Sequence, residues 1–286
     1  MSIGEKAAFD SQPGKRKPLQ ILLVDDNEMN QELALAILEQ LGYHADVAGN
    51  GYEAVQAVKR RPCDVVLMDV EMPEMDGIEA TRVIRRELGT ASQPRIIAMT
   101  AADMQDDRER CLKAGMNDYV SKPIIVQQLI DALSRCQPLS QTGSSRPPGQ
   151  TEELQAPVKV VNAGTTEVID LAAFDRLRAT LGKQAKEMLP GLIDGFVAEA
   201  PRMIERARRA LENINESELR REAHTLKSNA ACFGLTALAE AARDLETTAK
   251  NKPLDGALNL IERIEAEFTQ AEKALQEVRK GMLIIK

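Results

Sequence analysis

The stretch 64–77, DVVLMDVEMPEMDG, brings an aspartate to the end of an apolar run: Val65, Val66, Leu67 and Met68 lead straight into Asp69. So short a run, bounded by a loop, reads as a central parallel strand. Asp69 then stands at the strand's carboxyl end, where open α/β sheets hold their ligands. Three other runs end in the same way. Leu19–Val24 leads into Asp25 and Asp26, the run from Arg95 ends at Thr100, and Asp118–Val120 is followed by Ser121 and Lys122. Three carboxylates in one pocket repel each other unless a cation or a proton intervenes. Carboxylate oxygens with room for water suit Mg2+. An ammonium at Lys122 and a hydroxyl at Thr100 complete a set able to hold a phosphoryl group beside a carboxylate nucleophile. Taken singly, each has a plainer reading: Asp25-Asp26 as a helix cap, Thr100 as a strand end, Lys122 as a solvated charge. The argument rests on their conjunction at the same ends of successive strands.

A second candidate lies far along the chain. Leu219, Ala223, Leu226 and Ala230 recur at helical spacing and define a buried stripe. His224 falls off that stripe, so the spacing predicts that it faces water or a groove. Arg220, Arg221, Lys227 and Ser228 are its helical neighbours at three and four residues. An imidazole ringed by cations, with a small residue beside it, can accept a phosphoryl group; the plainer reading is a surface histidine on a basic helix face. His44, the other histidine, has no such neighbours and is assigned no role.

The elements that must position these groups follow from periodicity and punctuation. Five strand–helix units occupy residues 18–137, with Asn27 and Asn50 as caps and Gly42 and Gly115 as stops. The helix before the last strand is expected over Asp103–Ala114. This order predicts an α/β fold with a five-stranded doubly wound parallel sheet. Residues 138–168 are rich in Pro, Gly, Ser, Thr and Gln and read as a flexible linker with a reach of roughly 30 Å; its VKVV segment, Val158–Val161, could form a short strand or a docking contact. From residue 169 to 286 the pattern is helical throughout and predicts an all-α four-helix bundle. Pro190 and Pro201 are expected to start or bend its long helix, and Asn215 or Ser217 to cap the helix of His224. Residues 1–17 read as a disordered tail.

Totals exclude several classes. A net charge of −7 argues against nucleic acid as a partner. The four cysteines show no metal-ligand spacing and read as reduced thiols. No apolar stretch approaches the ~20 residues of a membrane span, so no direct membrane insertion is expected. Aromatic residues make up 3% of the chain and Trp is absent, so the cores must be aliphatic.

The motifs ILLVDDN, LMDVEMPEMDG, IIAMTA and AGMNDYVSKPI resemble the receiver domains of two-component signalling, which have a flavodoxin-like sheet, over residues 18–137. The resemblance implies that Asp69 is the phosphoacceptor. It implies that Asp25, Asp26, Asp69 and the backbone carbonyl of Glu71 arrange Mg2+, and that Thr100 and Lys122 contact phosphoryl oxygens. Tyr119 becomes the switch aromatic that follows Thr100, and Pro123 follows a cis peptide bond. The side chain of Glu71 borders the site. AHTLKSNAACFG resembles histidine-phosphotransfer domains, with His224 as phosphoacceptor and Lys227 completing a His-x-x-Lys core; Ser228 stands where that family commonly has glycine.

Together the two resemblances imply a phosphorelay protein similar to the C-terminal part of a hybrid sensor histidine kinase. Its expected partners are an upstream histidine kinase and a downstream response regulator receiver, with an intramolecular receiver–bundle contact as a further option. The alternative is an interaction module in which phosphorylation of the receiver controls binding by the bundle. A metal-dependent aspartyl phosphatase fits poorly, since those enzymes resemble Asp-x-Asp after the first strand, whereas here the order is Asp25-Asp26-Asn27. Nothing in the chain resembles a P-loop or a kinase glycine loop. Catalysis is therefore expected only as the chain's own phosphorylation and dephosphorylation. The expected setting is bacterial and cytoplasmic, or the cytoplasmic portion of a membrane-anchored hybrid kinase.

Overall fold

The computed structural model describes residues 13–101, 105–139, 168–251 and 253–284. Strands β1 (Ile21–Val24), β2 (Ala45–Ala48), β3 (Val65–Asp69), β4 (Arg95–Ala101) and β5 (Asp118–Lys122) form one parallel sheet in the order β2-β1-β3-β4-β5. Strand β3 is central and every residue of it is buried, as a strand covered on both faces must be. Side-chain alternation divides the core in two. Leu23, Leu67, Ile97 and Val120 face one layer, with Leu33 and Ile37 of α2 (Glu28–Gln40) and Leu129 of α6 (Val126–Ser134). Val24, Val66, Met68 and Ala98 face the other, with Val55 of α3 (Gly51–Arg60), Ile84 of α4 (Gly77–Glu87) and Cys111 of α5 (Gln105–Ala114).

The caps are where the sequence puts them. Asn27 Oδ1 accepts from the Asn30 amide at 3.1 Å, and Asn50 Oδ1 from Glu53 at 2.9 Å. Asp76 caps α4 by accepting from Glu79 at 2.7 Å. Helix α4 begins so close to the end of β3 that a Cβ on Gly77 would lie 2.0 Å from the Asp69 carbonyl oxygen. That neighbour is backbone and cannot swing away. Gly77→Ala is expected to cost roughly 1–3 kcal/mol, as overpacking does, and to displace Asp69. Urea unfolding checks it; an unchanged midpoint would contradict the reading.

Pro13–Arg16 form a short helical turn, α1, whose Gly14 amide donates to the Leu41 carbonyl at 2.9 Å. This corrects the expectation of disorder across 1–17 for those residues. Asp103 and the linker segment Val158–Val161 lie outside the described residues, and α5 is described from Gln105. None of the four cysteines is in a disulfide, and all four are buried.

The second region packs α8 (Ala185–Glu212), α9 (Glu216–Cys232), α10 (Thr236–Lys250) and α11 (Ala257–Ile284) as a closed ring of four neighbours, preceded by the shorter α7 (Leu171–Leu181). Phe196 lies between Phe233 and Phe268, with ring centroids 5.2 and 6.1 Å away. Helix α8 runs through both prolines, and neither starts it. Its packing against α9 and α11 holds it together where two amide donors are missing. Asn215, not Ser217, caps α9, accepting from Glu218 at 3.2 Å.

The two regions share one core. The layer behind β1 and α2 continues without a break into the bundle interior. Along this seam Gln40 Nε2 donates to the Thr180 carbonyl at 2.8 Å, and Gln184 Nε2 donates to Glu39 at 3.0 Å.

Candidate functional site

The parallel sheet delivers Asp25, Asp69, Thr100 and Lys122 to one edge because all five strands point the same way. Lys122 Nζ sits 2.7 Å from Asp25 Oδ2 and 2.6 Å from Asp69 Oδ2, and all three side chains are buried. Asp25 Oδ1 also accepts from the Asn27 amide at 3.0 Å and from Asn30 Nδ2 at 3.1 Å. Asp69 Oδ1 receives the Glu71 amide at 3.3 Å. Thr100 pairs with Ser121 in register, one position from the partner of Lys122. The Lys122-Pro123 bond is cis, as the resemblance implies. Tyr119 points to the layer of α3–α5, with the Arg108 guanidinium 4.9 Å from its ring centroid.

The electrostatics of this edge call for a cation. Burial pushes the Asp69 carboxyl up to about 7, against the pull of Lys122 and with a further push from Asp25. Asp26 is also raised, by burial first and then by the Asp25 charge. Oxygens of Asp25, Asp26 and Asp69 lie within 4.8 Å of one another. Three hard oxygen donors, two of them sharing a single ammonium, fit a small divalent ion.

His224 is not where the helical wheel alone would leave it. It lies off the bundle's buried stripe as expected, yet it is 8% exposed, because the edge of the parallel sheet covers that face of α9. Its Nδ1 lies 2.9 Å from Glu71 Oε2, two residues beyond Asp69, and 3.2 Å from Glu246 Oε1 of α10. Lys227 Nζ contacts Glu246 Oε2 at 2.6 Å and Lys250 Nζ contacts Oε1 at 3.2 Å. The cations expected around the imidazole therefore include one spent on the carboxylate beside it. Burial opposes a charged imidazole, but pairing with Glu246 and then Glu71 outweighs it and raises His224 to about 9. Glu71 is held down to about 2: burial would raise it, and the pairing with His224 overcomes that. Glu246 is held well below the usual carboxylate range by the same balance, with Lys227 adding to it.

Other α9 charges also face the sheet edge. The Arg221 charge reaches Asp26 and the Arg220 charge reaches Glu71. A cavity of about 510 Å³ beside the contact is lined by Glu71, Glu74, Arg220, Arg221 and His224 among others.

Glu246 is the residue that sequence reasoning missed. Its signal was a carboxylate next to Leu245, on the flank of the apolar stripe Leu238, Ala242, Leu245 and Ala249. A buried glutamate on such a face must have a cationic partner.

Comparison with known proteins identifies the two regions. Residues 21–134 match the response regulator receiver domain model and residues 191–278 match the Hpt domain model. The signal transduction histidine-protein kinase BarA of Escherichia coli K12 is 37% identical over 187 residues, 65% of this chain and 19% of that protein. The sensor protein GacS of Pseudomonas syringae is 34% identical over 256 residues, 86% of this chain and 27% of that protein. The chain thus spans a small part of the curated relatives it matches. Among solved structures, the receiver domain of the sensor histidine kinase PA1611 from Pseudomonas aeruginosa, with a magnesium ion in its active-site cleft, is 45% identical. It covers 41% of this chain and 95% of that one, with a TM-score of 0.38. The co-crystal of Saccharomyces cerevisiae Ypd1 with the Ssk1 receiver domain matches at 30% identity, covering 41% and 86%, also at 0.38.

Proposed function

Because the chain belongs to the phosphorelay signalling proteins that join a response regulator receiver domain to an Hpt domain, we propose that Asp69 and His224 are its two phosphoacceptors and exchange a phosphoryl group within one molecule. The observation that carries this is the contact of His224 with Glu71, two residues from Asp69. An upstream histidine kinase is the donor to Asp69, and a receiver on another protein is the outlet from His224.

In the first step an Asp69 carboxylate oxygen attacks the phosphorus of a phosphohistidine. The P–N bond breaks and an aspartyl phosphate forms. Lys122, already against Asp69, turns its ammonium to the incoming oxygens, and Thr100 offers its hydroxyl to one of them. Asp25, Asp26, Asp69 and the Glu71 carbonyl would hold Mg2+, which when bound neutralises the phosphoryl oxygens. In the second step the imidazole of His224 attacks the phosphorus. Nδ1 is engaged by two carboxylates, so Nε2 supplies the electron pair, the P–O bond breaks and Asp69 returns as a carboxylate.

The test is phosphate transfer from a phosphorylated histidine-kinase core to wild type, Asp69→Ala and His224→Ala. Wild type is expected to carry both the acid-labile phosphohistidine and the base-labile acyl phosphate. His224→Ala should keep only the acyl phosphate, and Asp69→Ala neither label. Phosphohistidine on Asp69→Ala would sink the order of the relay. The shared core of the two regions favours a second reading, in which phosphate on Asp69 shifts how tightly the bundle docks. It predicts undocking on phosphorylation with His224 unlabelled. A cytoplasmic site of action fits both readings, and no helix among the described residues is long and apolar enough to cross a membrane.

A further inference from the structure

The contact between Glu71 and His224 joins two domains through one side-chain pair. Nδ1 can carry a single hydrogen, and two carboxylate oxygens lie within 3.2 Å of it. A hydrogen there has good hydrogen-bond geometry towards Glu246 Oε1, yet Glu71 Oε2 is the nearer atom. Glu71 Oε2 is buried and receives no hydrogen bond. The two acceptors are not equivalent. Glu246 belongs to the bundle and is already matched by Lys227 and Lys250. Glu71 belongs to the receiver and meets the imidazole only when the domains are docked. A buried acceptor without a donor is costly, about 1–3 kcal/mol, so a small rotation of the ring towards Glu71 is favoured over leaving it unmet.

From this geometry we propose that Glu71 is a positioning residue: its carboxylate reaches across the domain boundary, takes hold of Nδ1 of His224, and so steadies the imidazole with Nε2 left for the phosphoryl group of Asp69. Glu246 holds the ring in the bundle at all times, whereas Glu71 adds the second hold at the moment of docking. The receiver thereby orients its own acceptor. This rests on the relay between Asp69 and His224. It adds to that relay a role for a side chain whose backbone carbonyl alone is assigned to the metal.

The experiment uses the full chain, loaded at Asp69 by acetyl phosphate with Mg2+, and compares wild type, Glu71→Ala and Glu71→Gln. Loading and loss of the acyl phosphate are measured separately for each in the His224→Ala background. Transfer is then expressed per loaded Asp69. At pH 9, where the ring is at least half neutral with or without Glu71, Glu71→Ala is expected to slow transfer to His224 by about 10²-fold, the usual effect of losing alignment of a reacting group. Glu71→Gln keeps an acceptor oxygen at the same reach and should recover most of that rate. Hydrogen exchange along the seam of α2 and α7, which does not use Glu71, should match wild type in both.

Equal transfer in wild type and Glu71→Ala would overturn the proposal. So would a Glu71→Gln as slow as Glu71→Ala, or loosened exchange along the seam, which would make Glu71 a docking residue instead. Wild type that loads Asp69 and never labels His224 would overturn the relay itself, a failure visible without any Glu71 variant.

Discussion

Transfer from Asp69 to His224 is expected to accelerate steeply between pH 7 and pH 9. A protonated imidazole has no electron pair on either nitrogen and cannot attack phosphorus. Burial disfavours that protonated form, but Glu246 and Glu71 overcome it and place the titration at about 9. At pH 7 only about one molecule in a hundred then holds a neutral ring, and each pH unit gains roughly tenfold until the curve levels near 9. Single-turnover transfer from preloaded Asp69, corrected for acyl-phosphate loss in His224→Ala, gives the profile; a flat one would contradict the assignment. The same proton has a stability side. The folded value lies above the ordinary 6.5. Its contribution to the folded state is therefore complete below pH 6.5 and is lost as pH rises through about 9, and the share supplied by Glu71 is the part that belongs to docking. Docking loosens over the range where chemistry speeds up, so the rate should peak and then fall once undocking wins.

Lys122→Ala should cost the receiver about 3–5 kcal/mol in metal-free buffer, the usual effect of removing one partner from a buried ion pair. Lys122 contacts both Asp25 and Asp69, and all three are nearly sealed from water. Without it, two carboxylates face each other in a dry pocket, and one must take a proton or the pocket must open. Adding Mg2+ should therefore stabilise the variant more than it stabilises wild type, since a cation would then replace the missing one. Urea unfolding with and without Mg2+ measures both. A variant within about 1 kcal/mol of wild type without metal would show that the pair is not carrying the pocket. Phosphate loading should fall as well, because the group that meets the phosphoryl oxygens is gone.

The receiver site was legible because its residues are tied to strand ends. Asp25, Asp69, Thr100 and Lys122 each follow a short apolar run, and parallel strands must deliver them to one edge. The caps at Asn27 and Asn50 were readable for a similar local reason. His224 was legible in type and helix face but not in environment. Its burial depends on α9 meeting a sheet edge more than a hundred residues away, and helical spacing reports only what one helix turns inward. Glu246 was hidden for the same reason, its partners His224 and Lys227 lying on another helix, α9. Pro190 and Pro201 were expected to start or bend their helix, and neither starts it, since neighbouring helices hold what the prolines weaken.

The sheet has two faces, and only one of them is shared. The layer of α2 and α6 runs on into the bundle, while the layer of α3, α4 and α5, with Tyr119 on its margin beneath Arg108, closes on itself. On the proposed relay the phosphoryl group would cross to His224 at the end of the sheet where the two regions meet. The layer of α3, α4 and α5 takes no part in the shared core, so a rearrangement around Tyr119 would leave that core in place.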